Sequence, residues 1–266
     1  MKLAVIGGGK MAHAMVFGIL NTKKVDAKDI YVSDKNEAGL SDFAAAGIQT
    51  YTDNSAAAKQ ADTILIAVKP DIYPLVIREL AALEGAKDRL YISIAPGLTV
   101  EALKAHFGFD AKLIRTMPNT PAMVGEGMTA VYAPAPVSEA ELSTVLDLFS
   151  AFGKAAVISE KQMDAAVAVS GSSPAYVFLF IEALADGAVA GGMPRNLAYT
   201  FAAQAVLGSA KMVLETGKHP GELKDMVCSP GGTTIDAVEA LEQGGLRGCV
   251  MDAMRKCIEK SKNMGK

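Results

Sequence analysis

A glycine-rich segment near the start of the chain most constrains its fold. Residues 2–7 (KLAVIG) form a short apolar run typical of a buried strand, and Gly7-Gly8-Gly9-Lys10-Met11-Ala12 overlaps its end. The segment matches the G-x-G-x-x-G/A pattern, in which the first glycine permits a tight turn and the second lets the backbone approach a pyrophosphate. The sequence therefore predicts a strand, a loop and a helix over 10–20 that hold the pyrophosphate of a nicotinamide dinucleotide at the helix N-terminus.

Up to about residue 160, short apolar runs alternate with helical stretches. The runs are rich in valine and isoleucine and nearly continuous, which is typical of strands buried on both faces of a parallel sheet. Strands are predicted over residues 2–7, 29–33, 63–68, 90–94, 112–116, 129–132 and 155–158, and helices over 10–20, 37–46, 72–83 and 100–107. This order predicts an α/β domain over residues 1–160, built on a doubly wound, Rossmann-type sheet.

Residues 161–266 change to long, alanine-rich helical stretches. Helices are predicted over residues 174–190, 194–215, 220–227, 234–243 and 246–263. The first of these is apolar almost all the way round, since only Glu182 and Asp186 carry charge, and a helix of that kind is buried. We therefore expect an all-helical second domain that forms an intertwined homodimer.

The residues after the second predicted strand should contact the adenosine ribose of the cofactor. Ser33-Asp34-Lys35-Asn36 leaves two interpretations open. Asp34 is the kind of acid that binds the 2′-hydroxyl of NAD, whereas Ser33 and Lys35 suit the 2′-phosphate of NADP through a hydroxyl and an ammonium. We favour NADPH over NADH, because a lysine and a serine suit a phosphate dianion.

Three loops follow predicted strands at the edge where open α/β sheets bind ligands. They are Val68-Lys69-Pro70, Ala95-Pro96-Gly97 and Met117-Pro118-Asn119-Thr120-Pro121. Proline and glycine hold loop backbones still against a planar ring, and the side chain of Asn119 has both a donor and an acceptor for a nicotinamide carboxamide. Three such loops at one edge favour a nicotinamide site over three ordinary turns.

Two serine- and glycine-rich segments precede helices of the second domain. They are Ser170-Gly171-Ser172-Ser173-Pro174-Ala175-Tyr176 and Ser229-Pro230-Gly231-Gly232-Thr233-Thr234. Each would present hydroxyls and free amides at a helix start, which suits a small carboxylate. Plain N-capping by Ser173 and Thr233 explains the same residues equally well.

The chain lacks an obvious base for alcohol oxidation. An alcohol dehydrogenase needs a base, commonly histidine or lysine, to take the hydroxyl proton. No lysine occurs between Gln162 and Ala210, and the three histidines have no neighbouring carboxylate in a recognisable motif. A substrate that carries its own charge would not need such a base.

Composition argues against several kinds of partner. The formal net charge is −3 without a Lys/Arg cluster, so no nucleic acid is expected. The longest uncharged stretch, residues 165–181, contains Ser170, Gly171 and Pro174, so no membrane helix is expected. The three cysteines lack the spacing of a metal site, which indicates a reduced, cytoplasmic protein without a metal.

Together these motifs resemble the pyrroline-5-carboxylate reductase family over essentially the whole chain. The most specific element is the segment Ser229 to Thr234 quoted above. The resemblance implies reduction of 1-pyrroline-5-carboxylate to L-proline by NADPH or NADH, the last step of proline biosynthesis, through hydride transfer to a cyclic imine. It also implies a homodimer, often assembled into a homodecamer. A β-hydroxyacid dehydrogenase-like oxidoreductase and a non-catalytic NAD(P) sensor remain the alternatives.

The resemblance further implies which residues form the site. Thr234 would be catalytic, near the ring nitrogen, on a loop supplied by the partner subunit. Ser173 stands where the family usually has glycine, and Lys10 where it commonly has asparagine. The predicted substrate-binding residues are Ser172, Ser229, Gly231, Gly232, Thr233 and Thr234. The predicted cofactor-binding residues are Gly7, Gly9, Lys10, Met11, Ser33, Lys35, Asn54, Ala67, Val68, Lys69, Ala95, Gly97 and Asn119.

Overall fold

A computed structural model describes residues 1–264 of the chain. Its contacts divide the chain into two compact units. The first unit consists of Met1–Ser172 together with the end of the chain from Cys257, and the second consists of Ser173–Lys256.

An eight-stranded sheet forms the centre of the first unit. Its strands are β1 (Leu3–Ile6), β2 (Ile30–Ser33), β3 (Gln49–Tyr51), β4 (Thr63–Ile66), β5 (Leu90–Ser93), β6 (Lys112–Met117), β7 (Gly127–Tyr132) and β8 (Gly153–Val157). They lie in the order β3-β2-β1-β4-β5-β6-β7-β8. All neighbours pair in parallel except β6 and β7, which are antiparallel. The reversal after β1 is the crossover of a doubly wound sheet, which confirms the predicted fold class.

Helices cover both faces of this sheet. They are α1 (Lys10–Asn21), α2 (Ser41–Ala45), α3 (Asn54–Ala58), α4 (Tyr73–Ala81), α5 (Val100–Ala105), α6 (Glu139–Phe149) and α7 (Met163–Ala166). Successive strand side chains point to opposite faces. Leu3 and Val5 of β1 therefore join one core, with Met15 of α1, whereas Ala4 and Ile6 join another, with Ile77 of α4.

The second unit is entirely helical among the described residues. Its helices are α8 (Ser173–Ala190), α9 (Arg195–Thr216), α10 (Pro220–Val227), α11 (Thr233–Gln243) and α12 (Leu246–Met264), the last of which ends in the first unit. These bounds lie within two residues of the predicted ones. A small alanine core, Ala185, Ala198 and Ala202, packs α8 against α9.

The apolar faces of α8 and α9 are exposed in the single chain. Phe178 and Leu179 of α8 are 64% and 66% exposed, and Phe201 and Leu214 of α9 are 59% and 65% exposed. Contiguous apolar surface of this kind marks an interaction site in a folded protein. The expected burial of α8 thus requires a second chain.

Two helical stretches, Glu160–Ala190 and Arg195–Thr216, are long and apolar enough to cross a membrane by length and composition alone. The sequence argument against a membrane helix at Ser170, Gly171 and Pro174 was therefore too strong, because a mean hydropathy of 1.5 tolerates these residues. Apolar helices that pair with a second chain meet the same test.

Candidate active site

Gly7 forms the turn between β1 and α1, and only glycine fits there. Its φ is +106°, and a Cβ at this position would lie 2.6 Å from the carbonyl oxygen of Ala67. The Gly7 N–H donates to the carbonyl of Ser33 across 2.7 Å. Because the backbone at Gly7 touches the chain just after β4, the turn brings Ala67 and Val68, two of the predicted cofactor-binding residues, to the glycine loop.

Gly9 plays a different part, as the residue before α1. A Cβ at Gly9 would meet no atom within 4 Å, and no side chain of the described residues caps this helix. The first amides of α1 are therefore open towards a ligand, with Lys10 exposed and Met11 half-buried beside them. An open helix N-terminus behind glycine suits a pyrophosphate.

Asp34 is bound to the glycine loop rather than being free at the ribose position. Its Oδ2 accepts from the Gly8 N–H at 2.7 Å, and its Oδ1 accepts from the Asn36 N–H at 2.9 Å. Lys35 beside it is exposed and forms no ion pair with any residue between 1 and 264. The acid thus stabilises the loop, and Lys35 is the free cation at this turn.

The predicted contact of Ser33 with a 2′-phosphate is not supported by its position. Ser33 is fully buried, and its Oγ donates to Asn54 Oδ1 at 2.8 Å. The Asn54 amide in turn donates to Glu79 Oε2 at 3.0 Å. Buried polar groups are paired in this way because leaving them without partners is costly. The side chains of Ser33 and Asn54 therefore form their hydrogen bonds inside the protein, where they stabilise the end of β2.

Tyr73 holds two of the predicted cofactor loops together. Its Oη donates to the carbonyl of Ile66 at 2.5 Å and accepts from the Ile94 N–H at 3.2 Å. Ile66 ends β4, just before Ala67-Val68-Lys69, and Ile94 follows β5, just before Ala95-Pro96-Gly97. Sequence patterns did not identify Tyr73, because a tyrosine inside an apolar helical stretch resembles any other core residue.

The carboxamide of Asn119 forms two hydrogen bonds inside the protein. The amide donates to the carbonyl of Ser170 at 3.0 Å, and Oδ1 accepts from the Met128 N–H at 2.8 Å. Asn119 is 8% exposed. Both groups that were expected to bind the nicotinamide carboxamide have a partner inside the protein, and a contact of this side chain with the cofactor stays a prediction.

The serine-rich segment before α8 is helical, not a loop. Residues Val167–Ser172 form a π-helix between α7 and α8, so the chain is already helical before Ser170 and before Ser173. The expectation of free amides at a helix start was therefore wrong here. The segment still contacts the cofactor edge of the sheet, since a Cβ at Gly171 would lie 2.8 Å from Cε of Met117, the last residue of β6.

The second predicted substrate segment does form a loop before a helix. Gly231 has a φ of +67°, the Gly232 N–H donates to the carbonyl of Ser229 at 3.1 Å, and a Cβ at Gly232 would lie 2.4 Å from Ser229 Oγ. Gly232, not Thr233, is the N-cap residue of α11, and no side chain of the described residues caps the helix. Thr233 and Thr234 thus form its open first turn, which suits a small anion.

The parallel sheet, the glycine turn and the open N-terminus of α1 define a dinucleotide-dependent oxidoreductase with a helical second unit. The chain matches the family model described as pyrroline-5-carboxylate reductase dimerisation over residues 160–264, and the model described as NADP oxidoreductase, coenzyme F420-dependent, over residues 2–97. A pyrroline-5-carboxylate reductase of Escherichia coli (strain K12) is 51% identical over 268 residues, which span 100% of this chain and 98% of the relative. The chain belongs to the pyrroline-5-carboxylate reductase family.

Solved structures of pyrroline-5-carboxylate reductases have the same fold as this chain. The pyrroline-5-carboxylate reductase of Coxiella burnetii superposes with a TM-score of 0.93 at 34% identity, covering 100% of this chain and 98% of that one. The Plasmodium falciparum enzyme, with NADP bound, gives a TM-score of 0.88 at 34% identity, with the same coverage. The protein is therefore an NAD(P)H-dependent oxidoreductase that reduces 1-pyrroline-5-carboxylate to L-proline, the last step of proline biosynthesis, and it has the dimerisation domain of a homodimer.

Proposed function

We propose that each active site combines the cofactor edge of one chain with the loop Ser229 to Thr234 of its partner. The open first turn of α11 supports this assignment most directly, because Gly231 and Gly232 leave its amides and hydroxyls exposed for the substrate carboxylate. The nicotinamide supplies a hydride to the imine carbon when the cofactor is bound. A protonated imine is already electrophilic, so the protein's task is to orient two rings and hold one carboxylate.

Within that site, Thr234 is the residue that contacts the ring nitrogen, through a hydrogen bond of its hydroxyl. Thr234→Val keeps the β-branched shape and removes the hydroxyl. We expect kcat/KM for 1-pyrroline-5-carboxylate to fall about tenfold or more, while the affinity for the cofactor persists. Thr144→Val is the matched control, since Thr144 Oγ1 donates only to the carbonyl of Ala140 within α6. Unchanged turnover in Thr234→Val would remove this role.

A mixed dimer tests whether the loop acts on the partner. Gly9→Ala blocks the cofactor side of a chain, and Thr234→Val impairs its loop. If the loop serves the other subunit, a dimer of one chain of each kind contains one intact site. If the loop serves its own chain, both sites of that dimer are impaired. Activity above that of either variant alone, after the two impaired variants are mixed and refolded, supports the proposal, and its absence in a verified mixed dimer excludes it.

NADPH is the preferred cofactor in this proposal, with Lys35 as the residue that binds the 2′-phosphate. Its ammonium is exposed, forms no ion pair within residues 1–264 and follows β2 at the predicted ribose position, which supports this role. Lys35→Ala should raise the KM for NADPH about tenfold and spare NADH. Lys154→Ala on β8, the opposite edge of the sheet from β3, is the control cation. An equal effect on both cofactors would contradict this assignment.

The assembly and location complete the proposal. We take residues 1–160 as the dinucleotide-binding domain and 161–266 as the helical dimerisation and substrate-binding domain, a division supported by the family match that begins at residue 160. The homodimers assemble further into a homodecamer in the cytoplasm, without nucleic acid or membrane partners. Light scattering on the purified protein tests the assembly, since each chain contributes 27.7 kDa. Recovery in the membrane fraction would contradict the location.

A further inference from the structure

The π-helix Val167–Ser172 is held by side chains from two other parts of the first unit. On one side Asn119, just after β6, donates to the carbonyl of Ser170 at 3.0 Å and accepts from Met128 of β7 at 2.8 Å. On the other side Cys257 of α12 donates from Sγ to Ser172 Oγ at 3.2 Å. Both contacts are made in the second half of the π-helix, at Ser170 and Ser172.

Pro174 explains why the carbonyl of Ser170 needs a partner from outside the helix. Proline has no N–H, so it cannot donate to the carbonyl four residues earlier, which is that of Ser170. A proline ring also crowds that carbonyl, and a π-turn is a common way for a helix to accommodate such a disruption. The Asn119 amide supplies the missing donor, which makes it the partner that a helix in this position requires.

A third contact ties the same helical stretch to α12 at a place away from Ser172. Ser261 Oγ donates to Asp164 Oδ1 at 2.6 Å, and Ser261 is 2% exposed. Ser261 is one helical turn beyond Cys257, and Asp164 is eight residues before Ser172. The interface therefore contains one bond beside Ser172 and one of similar kind away from it.

We propose that Asn119 and Cys257 are positioning residues for the substrate, because together they fix Ser172. The inference rests on the proposed function, in which Ser172 binds the substrate. Asn119 holds the π-helix at the end of β6 through its bond to the backbone carbonyl of Ser170. Cys257 fixes the hydroxyl of Ser172. Neither side chain needs to touch the substrate or the cofactor itself.

The test compares the KM values of the two substrates in single variants of the full-length enzyme. Cys257→Ala removes the donor and should raise the KM for 1-pyrroline-5-carboxylate about threefold, with the KM for NADPH unchanged. Cys257→Ser retains a donor, so its KM for 1-pyrroline-5-carboxylate should match that of the wild type. Asn119→Asp keeps the acceptor for Met128 but turns an oxygen towards the Ser170 carbonyl, and should raise the same KM about tenfold or more.

Ser261→Ala is the matched control, and Ser172→Ala separates the two levels of the proposal. Ser261→Ala should lower the melting temperature as Cys257→Ala does, yet leave the KM for 1-pyrroline-5-carboxylate unchanged. If Ser172→Ala raises the KM for the imine while Cys257→Ala and Asn119→Asp leave it unchanged, positioning is wrong and the role of Ser172 stands. If Ser172→Ala also leaves it unchanged, the substrate role of Ser172 is wrong and the inference fails with it.

Discussion

Asp34 accepts a hydrogen bond from the backbone of Gly8, with 2.7 Å between Oδ2 and the amide nitrogen. This bond ties the end of β2 to the glycine loop that follows β1. The acid that would otherwise bind the ribose of NAD is thus partly engaged by the protein, but its charge remains near the ribose position. We therefore expect cofactor choice to depend on two opposite charges, those of Asp34 and Lys35.

Asp34→Asn should shift the cofactor preference towards NADPH. The amide oxygen of asparagine still accepts from Gly8, so the loop keeps its shape, while the negative charge that repels a 2′-phosphate is removed. We expect the ratio of kcat/KM for NADPH over NADH to rise about threefold to tenfold at low ionic strength. Steady-state kinetics with both cofactors measures this ratio. A fall in the ratio would show that Asp34 does not oppose the phosphate.

Gly7→Ala and Gly9→Ala should separate folding from cofactor binding. At Gly7 a methyl group meets the Ala67 carbonyl and the backbone has positive φ, so we expect a loss of about 3 kcal/mol or more in stability. At Gly9 the methyl group meets open space in the free protein, so the melting temperature should be nearly unchanged while the affinity for NADPH falls. Thermal unfolding and cofactor fluorescence together distinguish the two variants. Normal NADPH affinity in Gly9→Ala would contradict the assigned pyrophosphate site.

Tyr73→Phe should weaken cofactor binding, whereas Tyr91→Phe should not. Both residues are fully buried, and the hydroxyl of Tyr91 donates to the carbonyl of Ala86 at 2.9 Å, before the start of β5. Burial raises the pKa of Tyr91 to about 12 and also raises that of Tyr73, so both hydroxyls stay protonated during assay. Each variant should lose about 1–2 kcal/mol of stability.

Only Tyr73→Phe removes a bond between two cofactor loops, at Ile66 and Ile94. We therefore expect its KM for NADPH to rise about threefold, and that of Tyr91→Phe to remain at the wild-type value. Equal KM values for NADPH in the two variants would show that the Tyr73 hydroxyl contributes to stability but not to cofactor binding.

Glu141→Gln should lower the stability of the protein at neutral pH but not at acidic pH. Burial alone would raise the pKa of the Glu141 carboxyl, but hydrogen bonds from Lys112 and Ser138 hold it below its usual value. A lowered pKa in the folded state stabilises the protein above the unfolded pKa of about 4.5, and this contribution is lost as the pH falls through the folded pKa.

The variant should therefore melt roughly 2 °C lower than the wild type at pH 7, and the difference should vanish near pH 3. Glutamine keeps the capping box with Ser138, so the helix start itself is not removed. A difference that is constant with pH would exclude the charge as its cause.

Most of the fold could be predicted because its strands are continuous apolar runs. Residues such as Leu3 to Ile6 are buried on both sides, and this pattern is visible in one sequence. The strand β3, Gln49–Tyr51, was missed because it is short, polar and half-exposed at the sheet edge. The helices α3 and α6 were missed as well, although Ser138 and Glu141 form a capping box that signals the start of α6.

The site was harder to predict, since side-chain chemistry does not say which partner is used. Asn119 has the donor and acceptor of a nicotinamide ligand, but Ser170 and Met128 satisfy both. Gly171 and Pro174 are typical of a loop, yet Gly171 lies in the π-helix and Pro174 in the first turn of α8. In contrast, the tight turn at Gly7 and the open first turn of α11 could be predicted, because both depend on backbone conformations that glycine favours.

The exposed apolar faces of α8 and α9 make stability a function of concentration. A lone chain leaves Phe178, Leu179 and Leu214 in water, so a folded state that buries them gains free energy only by meeting another copy. By mass action the melting temperature should then rise with total protein, and dilution alone should favour unfolding. The concentration of the enzyme would thus help determine what fraction of its molecules is folded.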